Sequence, residues 1–464
     1  MNKKLLLLSI IIYTCYTAHA GGIVTNTNQS AHFLRNPARD ASTEIDAAYS
    51  NPAGLSFLPN NGFYMSVSDQ IASQKRTIVS TFAPLAGFGG NPEKEFIGTS
   101  LAPFIPNIQA AYKMDDWTFS ASVGIVGAGG TAEFKDGSTT FEALVAIVPS
   151  VLTQFGMQGI EGYSLESNFK GTSGTWGAQF GASYKFLNNF SGYAGIRYSY
   201  VMNLYEGYVR NVKVGVNGQM VNAQELIASD QFLSLALNPL VADKALDCSQ
   251  FGGGIAPILG LDFNYNGLNI GIKYEFLTSI EVENETKNGN NFGSPSYNDG
   301  VKSHFDFPAM FGIGVDYNIT PQWCVGIGFH YFFDKNAKFP DDRQELIDKG
   351  TREYVVGVEY IVNPEFTLSI GGGVYSPSVS SAYQSDMNYE NTSFSFGLGG
   401  AWNINDKMRL NLAYFYSFYD KYDKVSEDYG NIHQLSGGLF GAIPGRDNLT
   451  KSNFLFGIGL EYIF

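Results

Sequence analysis

From Gly62 onward the chain reads as runs in which large apolar residues alternate with small or polar ones. At the C-terminus Phe454, Phe456, Ile458, Leu460, Tyr462 and Phe464 share one face, and Leu455, Gly457, Gly459, Glu461 and Ile463 share the other. Leu268, Ile270, Ile272, Tyr274 and Phe276 alternate in the same way with Asn269, Gly271, Lys273 and Glu275, and the runs from Trp323 and Met408 repeat the scheme. A period of two is the strand signature. In a soluble sandwich the apolar face would turn into a core. Here run after run keeps one face apolar and places Lys, Arg, Glu or Asp on the other. No covering helices are predicted, so the pattern fits lipid outside and a polar lumen inside.

The connections alternate in length. Met114-Asp115-Asp116, Leu187-Asn188-Asn189, Asn266-Gly267, Ile319-Thr320-Pro321, Asn363-Pro364 and Asn405-Asp406 read as tight turns. Between them lie long stretches near 84–104, 128–172, 206–251, 287–302, 336–351, 379–390 and 422–451. Short turns at one end and long loops at the other are the habit of outer-membrane barrels. Six turns give twelve strands, and one more at each end gives fourteen. Residues 62–83 exceed the roughly 9–11 residues needed to cross a bilayer. Both termini on one side require an even count, so they are read as one long strand rising above the membrane.

About 40 residues before the first strand do not alternate. The stretch "ARDASTEIDAAYSNPAGLSFL" is rich in small residues and breaks at Asn51-Pro52-Ala53-Gly54, a strong turn signal. Ile23, Phe33, Leu34, Ile45, Tyr49, Leu55, Phe57 and Leu58 are more apolar than a solvated tail needs. A fourteen-stranded barrel is wide enough to leave a hole. The segment is therefore predicted to fold back as a plug.

Composition narrows the class. Aromatics make up 15% of the chain, glycines number 53, and charged residues are only 16%, which suits aromatic girdles and a small-residue lumen. The net charge of −14 argues against nucleic acid as a partner. Residues 1–20, with Lys3-Lys4, an apolar run and Ala18-His19-Ala20, read as a secretory signal peptide. The expected organisation is a signal at 1–20, a hatch at 21–61 and a transmembrane all-β barrel at 62–464. Cys248 and Cys324 are expected to be isolated small hydrophobes, one in a loop and one in a strand.

Taken together, these residues resemble the FadL/TodX family of outer-membrane transporters of long-chain fatty acids and hydrocarbons. An Asn-Pro-Ala motif marks the family's hatch, and here it is Asn51-Pro52-Ala53, followed by Gly54. The resemblance implies passive uptake without an energy-coupling plug. Substrate would enter an apolar groove in the outer loops, bind near the hatch, and leave sideways at a kink in the third strand. Gly127, Gly129 and Gly130 are the candidates for that kink, because glycine in a strand marks bulges and bends. A groove is expected from Phe141, Leu144, Val148 and Leu152, which recur at helical spacing with a break at Pro149, and from Phe232 and Leu235. Arg197, Lys273 and Arg409 fall on inward faces and are the candidates for meeting a carboxylate, with Glu275, Asp262 and Glu461 as competing structural partners.

Phe464 is read as the signal for the barrel-assembly machinery. The expected setting is the outer membrane of a Gram-negative bacterium, as a monomer in contact with lipid and hydrophobic small molecules. No enzyme, metal or cofactor is expected: His304, His330 and His433 are scattered without a nucleophile elbow, and Asp341-Asp342 lacks calcium-loop spacing. Two other readings stand beside this one. A haem receptor would use His32 and His330, and a general polar porin would have no hatch.

Overall fold

Outward apolar residues and inward polar ones resolve into a single closed sheet. The computed structural model describes residues 22–87, 89–435, 438 and 440–464; the expected signal peptide lies outside them. Fourteen strands follow in order: β1 Gly62–Phe82, β2 in two pieces (Glu93–Ala102 and Asn107–Met114), β3 Trp117–Phe134, β4 Ile160–Leu187, β5 Phe190–Val216, β6 Lys244–Tyr265, β7 (Leu268–Glu275 and Glu281–Asn291), β8 (Lys302–His304 and Met310–Asn318), β9 Trp323–Phe332, β10 Thr351–Ile361, β11 Phe366–Ser376, β12 Ser393–Asn405, β13 Met408–Tyr419 and β14 Gly445–Ile463. Each pairs antiparallel with its neighbours, and β14 pairs with β1 from Tyr64↔Ile463 to Phe82↔Gly445. Closure removes every free edge. β1 is one unbroken strand of 21 residues, as read from the sequence.

Parity sorts the side chains. On β1, Val67 and Ile71 point outward while Ser66, Ser68, Gln70 and Gln74 are buried inside. On β14, Phe454, Phe456, Ile458 and Leu460 are exposed on the outer surface. Phe464 ends that face, its ring 5.1 Å from Phe63 and 4.5 Å from Tyr462. Such exposure fits a surface solvated by lipid, where outward apolar residues are at no disadvantage. All six tight turns occur where expected. At Asn266-Gly267 both residues have positive φ (45° and 79°), the backbone that the twist of a two-residue hairpin demands.

The strands run further than alternation alone indicated. Nearly half of the expected loop 84–104, Glu93–Ala102, belongs to β2, which pairs with β1 from Ala72 to Thr81. The expected loops 128–172 and 206–251 shrink to connections at 135–159 and 217–243, because β3 to β6 continue past the bilayer. Cys248 consequently lies in β6 and not in a loop. At this loop end α3 Thr139–Ala146, α4 Val148–Gln154, α5 Ala223–Ile227 and α6 Gln231–Val241 pack over the barrel mouth. The break between α3 and α4 falls at Ile147, one residue before a proline-initiated helix, as Pro149 predicts.

Candidate hatch, chamber and wall opening

Residues 22–61 enter the lumen and are almost entirely buried. α1 Ala31–Arg35 and α2 Ala47–Ser50 are short, and between them the chain is extended. What lets it lie against the wall is glycine. A methyl group added at Gly457, Gly397, Gly371, Gly314 or Gly271 would overlap Leu34, Leu34, Pro37, Asp40 and Asp40 respectively, and one at Gly326 would crowd Ala38 at 3.1 Å. Six strands from β14 round to β7 thus give up an inward side chain along one track, and the hatch backbone occupies it. Alternation alone places three of these glycines, Gly271, Gly326 and Gly457, on inward faces, without indicating a partner.

Asn51-Pro52-Ala53-Gly54 forms the turn that was expected, with different contacts. Pro52 opens a 3₁₀ helix, Pro52–Phe57, and Gly54 N–H donates to Asn51 O at 2.9 Å. Asn51 makes no local cap; its Nδ2 donates to Ser42 O at 3.1 Å and to Asp262 of β6. Gly54 is needed for space and not for positive φ, since an added Cβ would strike Ser42 O and Asn51 Nδ2. Ser191 Oγ of β5 donates to Ala53 O at 2.6 Å, so the motif is fastened to the wall on two sides.

The three inward cations are all spoken for. Arg197 makes a two-pronged pair with Glu275 at 2.6 and 2.9 Å, and Lys273 Nζ lies 2.9 Å from the same carboxylate. Lys273 also donates to Tyr49 O at 2.8 Å, and both cations sit 4.6 Å from the Tyr49 ring. Arg409 Nη1 donates to Glu44 of the hatch at 2.6 Å. Their partners make them hatch anchors. Two competing partners named from sequence serve otherwise: Asp262 accepts from Asn51 and Asn269, and Glu461 from Asn411. His32, Glu44 and Asp46 lie close enough to share an ion, but Arg39 and Arg409 already donate to those carboxylates. That cationic surround opposes a metal. His32 and His330 each face carboxylates through their ring nitrogens.

The third strand is where the wall is broken. β2 and β3 pair from Met114↔Trp117 up to Asn107↔Gly124, then not again until Leu101↔Thr131. Against β4 the register of β3 slips twice, between Ile125 and Gly127 and between Ala128 and Gly130. Gly130 has φ +153°. The extra residues are Val126 and Gly129, two single-residue bulges that together preserve inside–outside parity. The front of the hatch backs the gap. Asn26 N–H donates to Val126 O at 2.7 Å, and the side chains of Asn26 and Gln29 donate to Ile125 O at 3.1 and 2.6 Å. Asn28 and Gln70 of β1 exchange two hydrogen bonds beside it.

Against this gap sits an apolar chamber of Ile23, Val24, Phe305, Phe307, Phe339 and Tyr383. Phe307 and Val24 O crowd onto Gly127. About 30 Å³ of free space remains beside Ile23 and Val24, so in this state the hatch tip fills the chamber. Arg343 lines its rim: Nη2 donates to Tyr383 O at 3.0 Å and the guanidinium lies 4.3 Å from the Tyr383 ring. Among the described residues no carboxylate is within ion-pair distance of Arg343. The preceding Asp341 and Asp342 both have left-handed backbone (φ 54° and 53°). Sequence gave no sign of this arrangement. In the neighbouring connection, burial pushes the Asp334 carboxyl up to about 6.

The expected loop groove divides. Phe141, Leu144, Val148 and Leu152 are buried in the core over the barrel mouth, with Phe141 3.9 Å from Phe169. Phe232 and Leu235 are 48% and 70% exposed, and Phe232 meets Phe155 at 5.3 Å. The first set builds the lid, and the second is a small apolar surface on top of it. At the turn end two cavities of about 600 and 340 Å³ flank Thr43 and Glu44, on the far side of the hatch.

A barrel of fourteen strands, closed and filled by its own N-terminal segment, defines a hatch-plugged outer-membrane β-barrel. Solved structures of that class match nearly the whole chain. A Pseudomonas aeruginosa FadL homologue aligns with TM-score 0.63 at 13% identity, covering 95% of this chain and 99% of the other. The toluene transporters TodX of Pseudomonas putida (0.55, 14%, 97% and 100%) and TbuX of Ralstonia pickettii (0.53, 13%, 93% and 99%) align likewise. No family model and no curated protein sequence matches the chain. At these identities the likeness is one of fold: this chain has the FadL/TodX fold, as its hatch motif and strand count led one to expect.

Proposed function

We propose that this protein lets hydrophobic compounds, long-chain fatty acids or related lipids and hydrocarbons, pass the outer membrane without energy input. Substrate collects on the apolar top around Phe155, Phe232 and Leu235, displaces Ile23 and Val24 from the chamber, and leaves between β2 and β3. The observation that carries this reading is the stretch of β3 from Ile125 to Gly130 that has no partner on its β2 side, backed by the hatch and adjoining the chamber. A broken ladder in a closed barrel leaves backbone groups unpaired at lipid depth, and here the hatch supplies partners for the Ile125 and Val126 carbonyls. Displacing Val24 moves the chain only two residues before Asn26, so filling the chamber loosens the seal on the gap. Two of the structures that align with this chain are described as toluene transporters, which agrees with a channel and not an enzyme.

The test is a variant lacking Val126 and Gly129, which restores one continuous ladder with β4 while keeping parity. Uptake of radiolabelled oleate and toluene, in cells deleted for their own transporters, should fall to background while the barrel keeps its heat-resistant gel mobility. Undiminished uptake of both would remove the lateral exit.

A further inference from the structure

His330 stands between two carboxylates from different parts of the molecule. Its Nε2 is 2.6 Å from Asp40 Oδ1 of the hatch, and its Nδ1 is 2.7 Å from Glu353 Oε2 of β10. All three side chains are buried. An ionised carboxylate only accepts hydrogen bonds, so both ring nitrogens must donate, and the imidazole carries both protons and a positive charge. Asp40 depends on it wholly: its other oxygen, Oδ2, is buried and has no hydrogen-bond partner among the described residues. Glu353 also accepts from Thr27 at 3.4 Å. Thr27 belongs to the Asn26–Gln29 stretch that seals the wall gap. The same wall pair therefore holds the hatch on both sides of α1, at Thr27 and at Asp40. Around Asp40 the inner wall offers Gly314 and Gly328, where a side chain would strike it. Lys273 and Asp316 also act on Asp40, and Tyr49 lies near Glu353.

We propose that His330 is the positioning residue for the wall seal: its doubly protonated ring joins Asp40 to Glu353, and loss of one proton expels Asp40 and frees Asn26–Gln29 from β3. This rests on the reading of the β2–β3 gap as the exit. The device is a charge balance. A neutral imidazole turns a lone pair toward one carboxylate and leaves buried negative charge uncompensated, which is strongly unfavourable. The seal therefore loosens as pH rises.

The experiment uses the full chain in detergent or vesicles, with Cys248→Ser and Cys324→Ser, and Val24→Cys as a reporter beside the gap. The rate of reaction with a small maleimide, divided by that of free cysteine at the same pH, reads the seal. In the otherwise unaltered protein this ratio should stay low from pH 6 to 8 and rise as the pH is taken from 8 to 10.5. His330→Asn should be reactive at all pH values, by about tenfold or more over its parent at pH 6, as a buried uncompensated charge implies. Asp40→Asn should be closed and insensitive to pH, because no carboxylate is left stranded. The double variant His330→Asn with Asp40→Asn should close again. A side chain that merely fills space predicts the opposite: both single variants open, and the double variant is worst. That result, or a flat pH profile in the parent, overturns the proposal. The outcome is independent of uptake. If the labelling pattern holds while the variant lacking Val126 and Gly129 still transports, His330 controls the hatch and it is the lateral exit that fails.

Discussion

Arg35 of the hatch donates from Nη1 to Glu359 Oε1 of β10 at 2.6 Å, with Arg35 wholly buried. The same guanidinium reaches Asn411 Oδ1 of β13 at 3.2 Å through Nε. One side chain thus spans from β10 to β13 and pins α1 across the barrel's inner wall. Its loss leaves Glu359 without its main partner in a confined site, which typically costs about 3–5 kcal/mol. Arg35→Ala should therefore detach the hatch without opening the strand ladder. Planar-bilayer conductance should rise clearly above the parent's, while heat-resistant gel mobility is kept. If conductance is unchanged, α1 is held by its packing alone.

The glycine track gives a steric counterpart. Gly397→Val would push against Leu34 O, and Gly54→Ala against Ser42 O. Neither side chain touches lipid, and neither glycine has positive φ. Both variants should assemble as barrels and leak ions, the first by lifting the hatch from β12 and the second by springing the Asn51 turn. Deletion of residues 51–54 should behave like Gly54→Ala, only more strongly. Barrels that remain as silent as the parent would mean that the hatch relaxes around the added atoms.

These cases mark how far the sequence was legible. The barrel was, because lipid outside and lumen inside impose a strict period of two, and the six tight turns carry their own residues. The strand ends were not: above the membrane both faces of a strand such as Glu93–Ala102 meet protein or water, so alternation no longer bounds them. Inward parity located Arg197, Lys273 and Arg409 correctly, but which anion each would meet depended on neighbours. Glu275 shares a face with Lys273 two residues away, yet reaches Arg197 only across β6. The loop residues Phe141 and Phe232 carry the same apolar signal, and only packing separates lid core from exposed surface. The Asp40–His330–Glu353 triad joins positions 290 and 23 residues apart, with no local pattern to announce it.

Asp334 supplies a prediction in pH. It follows β9 in a connection at the loop end, and its Oδ2 accepts from Thr351 N–H at 2.9 Å. Burial raises its carboxyl to about 6 from an ordinary 3.8. The folded loop thus binds a proton that the unfolded chain has released between those values, so stability falls as pH rises from about 4 to about 6 and stays lower above that. The effect is on the order of 2–3 kcal/mol. Asp334→Asn should abolish it. The measurement is the temperature at which the compact gel form is lost, at pH 4.5 and pH 7.5. The parent should lose compactness at a lower temperature at pH 7.5, and the variant should show no such difference. Equal shifts in both would assign the pH effect to other groups.

On the proposed function, preference for a charged head group should turn on Arg343. It borders the chamber beside Ile23, Val24, Phe305 and Phe339, with a carbonyl and an aromatic ring from Tyr383 as its protein partners. Glu390 lies on the same chamber, but pairs with Lys451 at 3.2 Å. Two consecutive left-handed aspartates aim the arginine here, a conformation costing on the order of 1 kcal/mol per residue that persists only when the surroundings enforce it. A guanidinium at the edge of an apolar site fits a long-chain acid better than a neutral hydrocarbon. A charge-assisted hydrogen bond contributes about 1.5–3 kcal/mol. Arg343→Gln should then weaken oleate uptake at limiting concentration by about tenfold or more, and leave toluene uptake unchanged. Arg343→Lys should recover part of the oleate rate, since a cation remains but the planar two-pronged contact does not. If both substrates lose equally, Arg343 serves the packing of its loop against Tyr383, and the chamber does not discriminate by charge.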